Sequence, residues 1–149
     1  MKLKHLGYVA LFSGSIASSA AFAAEYGTAA EARAMLERAV AELKKDKADA
    51  LAKFNRAEAG FRDRDLYPFC AGPDGRITAH PTEVGTNLKE MKDQNGKPFG
   101  TEMFKIAEEG KIKEVTYVWP RAPGTQPIPK VSYVTKVDDQ VCGVGYYKQ

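Results

Sequence analysis

The sequence predicts an α+β domain in which helices precede an antiparallel sheet of five strands. Three observations predict it. From Ala32 to Leu43 apolar residues recur at the 3.6-residue period of an amphipathic helix. Beyond Gly60 glycines and prolines recur at short intervals, and the apolar runs become short and rich in strand-forming residues. Asp74-Gly75 lies between two such runs, a strong hairpin signal because glycine accepts a positive φ at no steric cost.

The chain begins with Lys2, Lys4 and His5, continues through a mostly apolar run from Leu6 to Ala20, and reaches Ala21-Phe22-Ala23. A charged start, an apolar middle and a small-x-small site make a secretory signal peptide over residues 1–23, which leaves a single mature domain over 24–149. The alternative is an uncleaved anchor. Against it, the run is short and rich in Ser and Gly for a hydrocarbon core of about 30 Å. A protein so exported is periplasmic or secreted, with no membrane insertion once the signal is gone.

Thr28-Ala29-Ala30-Glu31 is a capping box. It opens a helix whose buried stripe is Ala32, Met35, Leu36, Ala39, Val40 and Leu43, read as core packing. Lys44-Lys45-Asp46-Lys47 interrupts the stripe, and Asp46 caps a second helix with Ala50, Leu51 and Phe54, ending near Asn55. Leu66–Ala71 and Arg76–His80 form the hairpin around Asp74-Gly75, and His80-Pro81 ends it because proline donates no ladder hydrogen bond. Residues 84–88 are a loop and 93–97 a turn. Phe99, Met103, Phe104, Ile106 and Ala107 space a third helix up to Glu109, stopped by Gly110. Val115–Trp119, Val131–Val137 and Val141–Tyr147 are the last strands. Pro120 to Pro129, with four prolines, is an irregular connection. Helix, helix, hairpin, helix and three strands make the five-stranded α+β order.

The net charge is +3, and loss of Lys2 and Lys4 leaves 20 Lys and Arg against 19 Asp and Glu, a net of +1. A near-neutral, well-mixed surface carries no footprint for nucleic acid or anionic lipid. Cys70 and Cys142 are the two cysteines. An even count in an exported chain favours a disulfide between them, with two buried thiols or an intermolecular link as alternatives. A bond closing so long a loop is worth on the order of 4 kcal/mol.

A set of residues recurs in a familiar order: Tyr67, Phe69, Asp74-Gly75, Ala79-His80-Pro81, Gly85, Asn87-Leu88, Asp93 with Asn95-Gly96, Tyr117 with Trp119-Pro120, Pro129-Lys130 with Ser132-Tyr133-Val134, then Gly143, Gly145 and Tyr147. Spread over residues 28–148, it resembles the single Cache domain, type 2, an extracytoplasmic sensor module related in fold to PAS domains. The resemblance implies a long N-terminal helix on one face of a PAS/Cache-like sheet and a small-molecule pocket on the other. It also implies first and last strands side by side, which supports the Cys70–Cys142 disulfide, although both positions are usually aliphatic in the family. Lys113 stands where the family usually has Gly, Gln140 where it has Trp, and Val144 where it has Thr. Most members are tethered between membrane helices of a chemoreceptor or kinase. Because this chain ends at Gln149, the expectation is a free module acting through a membrane receptor or kinase.

A pocket of this kind needs apolar walls and a few fixed polar groups. Tyr67, Tyr117, Trp119 and Tyr133 offer aromatic walls with polar tips. His80, Arg121 and Lys130 offer positive charge suited to a carboxylate, and short organic acids are ligands of the family. Lys130 also matches the family's Pro-Lys position. The competing readings are core packing for the aromatics, solvated loop charges for Arg121 and Lys130, and a turn cap for His80. Asp63/Asp65 and Glu108/Glu109 read as exposed solubilising pairs. With a single histidine after the signal there is no zinc set, and there is no nucleophile turn or phosphate loop. The expectation is therefore a binding module without cofactor or catalysis that takes a small anionic metabolite. The alternative is an interaction protein with a vestigial pocket.

Overall fold

A computed structural model describes residues 24–148. The expected signal peptide over 1–23 lies outside the described residues. Helix α1 spans Ala29–Lys45 and α2 spans Lys47–Asn55. The capping box forms: the Glu31 N–H donates to Thr28 Oγ1 at 3.2 Å and the Thr28 N–H to Glu31 Oε2 at 2.8 Å. The break falls at Asp46, whose extended backbone ends α1 and whose carboxylate accepts from the Asp49 N–H at 3.0 Å to start α2. Ala32, Met35, Leu36, Ala39 and Leu43 are buried as the stripe requires, and Val40 is partly buried at its margin.

The strands are β1 Pro68–Ala71, β2 Ile77–Ala79, β3 Lys113–Pro120, β4 Pro127–Val137 and β5 Gln140–Tyr147. Helix α3 spans Phe99–Ile106, preceded by a 3-10 turn over Leu88–Glu90. The strands form one antiparallel sheet in the order β2-β1-β5-β4-β3. First and last strands are neighbours, as expected, and Cys70 stands directly opposite Cys142. The two are disulfide-bonded with Cα atoms 4.1 Å apart and both fully buried. Gly75 turns the β1–β2 hairpin at φ +90°.

Strand alternation separates two cores. Cys70, Cys142, Val144 and Val137 face α1 and α2. Phe69, Ala71, Ile77, Val115, Tyr117 and Val134 face away from them, against Leu88, Phe99 and Met103. The second core is the side on which the site forms.

Strand ends shift by one or two residues from expectation, and two boundaries differ by more. Helix α3 ends at Ile106, three residues before Glu109, because Ala107 turns extended and the Glu108 carbonyl accepts from Lys111, Lys136 and the Thr135 hydroxyl. The proline-rich connection also shrinks to residues 121–126. Proline is tolerated in a strand where its missing donor faces no partner. The Pro129 carbonyl points to the β5 side, where it accepts from the Lys148 N–H at 3.1 Å, so its nitrogen points away from β3 and the β3–β4 ladder loses no bond there. On the outer edge of β3, the Asp93 carboxylate accepts from the Val118 N–H at 3.1 Å and the Lys97 ammonium donates to the Thr116 carbonyl. Those contacts close an edge that would otherwise invite strand addition.

Candidate functional site

The site is built on Lys130. Its backbone pairs with Tyr117 on one side and Tyr147 on the other. Even-numbered residues of β4 face away from α1, so the lysine stem enters the second core and is 2% exposed. Gly145 lets it lie flat, because a Cβ there would collide with the Lys130 stem and stand 2.7 Å from Ser132 Oγ. The ammonium donates to Tyr67 Oη at 3.1 Å and lies 4.8 Å from the ring centroids of Tyr67 and Tyr147. Among the described residues no carboxylate lies within ion-pair distance of it. Burial opposes its charge, but the oxygens of Tyr117 and Tyr67 and the more distant Asp65 carboxylate outweigh that, so it titrates above the ordinary lysine value.

Magnitudes show how the charge is held without a carboxylate partner. Moving an ammonium out of water costs several kcal/mol even after relaxation. Two cation–π contacts return about 1–2 kcal/mol each, and one hydrogen bond to a charged group about 1.5–3. The ammonium has three donors and uses one. Those contacts roughly offset the cost of burial, and two donors remain for a ligand.

Around it, Tyr117 stacks on Phe99 at 4.2 Å and hydrogen-bonds Ser132 at 2.9 Å, and Trp119 meets Phe99 edge-on at 5.4 Å. Burial raises the Tyr117 phenol. Burial also raises the phenol of Tyr147, which donates to the Pro120 carbonyl at 2.7 Å. His80 closes the outer side, edge-on to Tyr67 at 5.1 Å, and its Nδ1 accepts from the Thr82 and Glu83 N–H groups at 3.1 Å each. Burial, reinforced by the Lys130 and Arg62 charges, pushes its pKa down to about 4. His80 thus both caps a turn and lines the cavity.

The space between Tyr67, His80, Trp119, Lys130 and the apolar group Phe69, Met91, Phe99 and Met103 is about 20 Å³, room for about one water. It adjoins an outer groove of about 340 Å³ that shares Tyr67, His80 and Trp119 and is walled by Pro81–Glu83 and Pro120–Pro123.

Tyr67, His80, Tyr117, Trp119 and Lys130 therefore come together, and two of the expected residues do not join them as imagined. Tyr133 lies on the opposite face, beside Tyr146 and under Arg33. Lys130 and Tyr133 have opposite parity on β4, so a regular strand cannot point both into one cavity. Arg121 lines the outer groove with its charge already used: Nε donates to Asp65 at 3.1 Å, and the guanidinium lies 3.7 Å from the Tyr26 ring and 4.8 Å from that of Tyr147. The Asp65 side chain is 8% exposed and also accepts from the Gly27 N–H at 2.7 Å, so it is a structural anchor rather than a solubilising charge.

Phe69, Phe99, Ser132 and Tyr147 were absent from the expected set. Strand parity points to Phe69 and Tyr147 once Cys70 and Cys142 are assigned to the helix face. Phe99, on α3, gives no such signal. Among the described residues no three His, Cys, Asp or Glu side chains gather as a metal-binding group.

Solved structures of similar shape are chemosensory. A methyl-accepting chemotaxis protein from Vibrio parahaemolyticus is 23% identical, with a TM-score of 0.64 over 79% of this chain and 86% of its own. A periplasmic sensor domain of a chemotaxis protein is 25% identical, at 0.58 over 79% and 88%. A Cache chemosensory domain, solved as the structural basis for carboxylic acid recognition, is 22% identical, at 0.57 over 79% and 86%. The family model for the Cache domain matches residues 25–147. With a helix laid on one face of a five-stranded antiparallel sheet, a cavity on the other, and a family match over nearly all the described residues, this chain belongs to the Cache domain family.

Proposed function

We propose that this chain is a periplasmic small-molecule sensor module that captures a small anionic metabolite of the carboxylate class and reports it to a membrane receptor or kinase. In this reading residues 1–23 are a removed signal and 24–149 are the mature domain, which does no catalysis. The observation that carries it is Lys130: a buried ammonium with one hydrogen bond, two aromatic neighbours and no carboxylate partner, set against a cavity. Tyr67, His80, Tyr117 and Trp119 form the binding wall with it, and Arg121 shapes the entrance from its Asp65 anchor. The chemotaxis proteins of similar fold, one of them concerned with carboxylic acid recognition, support the class. Among the described residues no helix is long and apolar enough to cross a membrane.

A second reading is favoured by the cavity volume. At about 20 Å³ the space is nearly filled by the protein's own side chains, as expected of an interaction protein with a vestigial pocket. A thermal-shift screen of the purified protein against short organic acids, amino acids and amines separates the two. A true ligand at a hundredfold excess over Kd adds about 2.7 kcal/mol of stability. If no acid raises the melting temperature, the sensor reading gives way to the second one.

A further inference from the structure

The sequence holds three asparagines, Asn55, Asn87 and Asn95. The fold engages both the oxygen and the nitrogen of the first two side chains. Asn55 donates to the Thr78 carbonyl at 2.9 Å and accepts from the His80 N–H at 3.1 Å. Asn87 accepts from the Lys89 N–H at 3.0 Å and donates to Glu90 at 3.1 Å. Arg56 and Leu88 follow them, and the Cβ of each shields the next backbone nitrogen. Asn95 differs in every respect. It is exposed, only its backbone N–H is hydrogen-bonded among the described residues, and Gly96 follows it. The turn itself requires that glycine. Gly96 stands at φ +80°, with nothing within 4 Å of where a Cβ would sit. Space would admit a side chain, so the left-handed backbone is what selects glycine. The same missing Cβ leaves the Gly96 nitrogen open to the neighbouring side-chain amide.

We propose that Asn95 is a modification site, converted to isoaspartate by attack of the Gly96 nitrogen on its side chain. The Gly96 nitrogen gives up its proton and bonds to Cγ of Asn95. The C–N bond of the side-chain amide breaks, and ammonia leaves with that proton. Water then opens the cyclic imide: at Cγ it gives aspartate, and at the backbone carbonyl it gives isoaspartate. No oxidant or cofactor enters the balance. The native turn restrains the step. The Gly96 N–H donates to the Asp93 carbonyl at 2.9 Å, and Asp93 Oδ1 accepts from the Asn95 and Lys97 N–H groups at 2.9 Å each. The nitrogen attacks only when that turn opens locally. The product does not refit the turn, because isoaspartate adds a methylene to the backbone within the loop that Asp93 closes. Asp93 Oδ2 caps the Val118 N–H on the outer edge of β3 at 3.1 Å, so the modification loosens the guard on that edge. Val118 lies between Tyr117 and Trp119, two walls of the cavity.

Ageing the purified protein in neutral buffer tests the proposal. Samples are digested over several weeks, and the peptide carrying residue 95 is followed by mass spectrometry with electron-transfer fragmentation, which tells isoaspartate from aspartate. Asn95 is expected to gain the mass of an amide turned acid, with isoaspartate among the products, while Asn55 and Asn87 stay intact. Asn95→Gln is expected to abolish the change, since the longer side chain closes the ring poorly. Asp93→Ala releases the turn and is expected to speed the reaction ~10-fold, the worth of one hydrogen bond to a charged group. The isoaspartate fraction is expected to associate with rising concentration in light scattering, whereas Asn95→Asp, which adds the charge without the extra methylene, stays monomeric. An aged protein with Asn95 intact, or one in which Asn55 or Asn87 reacts first, would overturn the proposal. Equal rates with and without Asp93 would overturn the restraint assigned to the turn, and an isoaspartate fraction that stays monomeric would overturn the effect on the edge. Should Asp93→Ala not fold, the rate in unfolded wild type replaces it, and a rate no faster than in the native protein overturns the restraint.

Discussion

Asp65 holds Arg121 at 3.1 Å, and the same carboxylate accepts the Gly27 N–H at 2.7 Å. One side chain thus ties the β3–β4 loop to the residue that leads into α1. Asp65→Ala strands a guanidinium that is 24% exposed and orphans a backbone donor. The expected loss is about 2 kcal/mol, below the 3–5 of a fully buried pair, read from the urea midpoint. Asp65→Asn retains an acceptor for Gly27 and should lose about half as much. Equal stability in both variants would remove the anchor role.

Lys130→Met should separate stability from binding. It replaces a buried cation lacking a carboxylate partner with an apolar chain of similar length, so the unliganded protein is expected to melt at the wild-type temperature or above it. Carboxylate binding should fall by at least ~10-fold. Marked destabilisation would mean that the ammonium's contacts to Tyr67 and Tyr147 already satisfy it.

The Cys70–Cys142 bond joins β1 to β5 across 72 positions. Replacing both cysteines by alanine should lower stability by about 4 kcal/mol, and thiol labelling of the unfolded, unreduced protein should find no free thiol. Two labelled cysteines would contradict the bond.

His80 sets a pH dependence with a definite sign. Its folded pKa, about 4, lies below the ordinary 6.5, so between those values the unfolded chain binds more protons and the fold loses stability as pH falls. The loss begins near 6.5 and levels off below about 4. Since the ring is only partly buried, about 2 kcal/mol is expected. The difference between wild type and His80→Asn over that window isolates it from titrating carboxylates. A window with no difference would place His80 in a solvated setting.

Asp93 guards the open edge of β3 through the Val118 N–H. Asp93→Ala is expected to expose that edge and to promote concentration-dependent association, which light scattering would detect. The three backbone bonds it accepts also hold its pKa below the usual range despite burial. Its contribution to stability is therefore present at neutral pH and fades in acid below pH about 4.

Local chemistry made much of the fold legible. The capping box, the break at Asp46 and the Asp74-Gly75 turn each satisfy backbone groups within a few residues of themselves. The α3 boundary was not legible, because Glu108 is captured by β4, a partner distant in sequence. For the site, parity along β4 would have separated Tyr133 from Lys130, whereas nothing nearby in sequence told that Arg121 is neutralised by Asp65.

The sequence by itself determined the element order, the buried stripe of α1, the strand alternation and the chemical types available at the site. Periodicity and turn chemistry act over a few residues, so they can be read along the chain. Only the tertiary structure decided which charges remain unpaired. Arg121 and Lys130 look alike in sequence, but Arg121 meets a carboxylate from 56 positions away, while Lys130 meets tyrosine rings and a cavity. The difference arises because a charge is compensated by whatever the fold brings within a few ångströms of it.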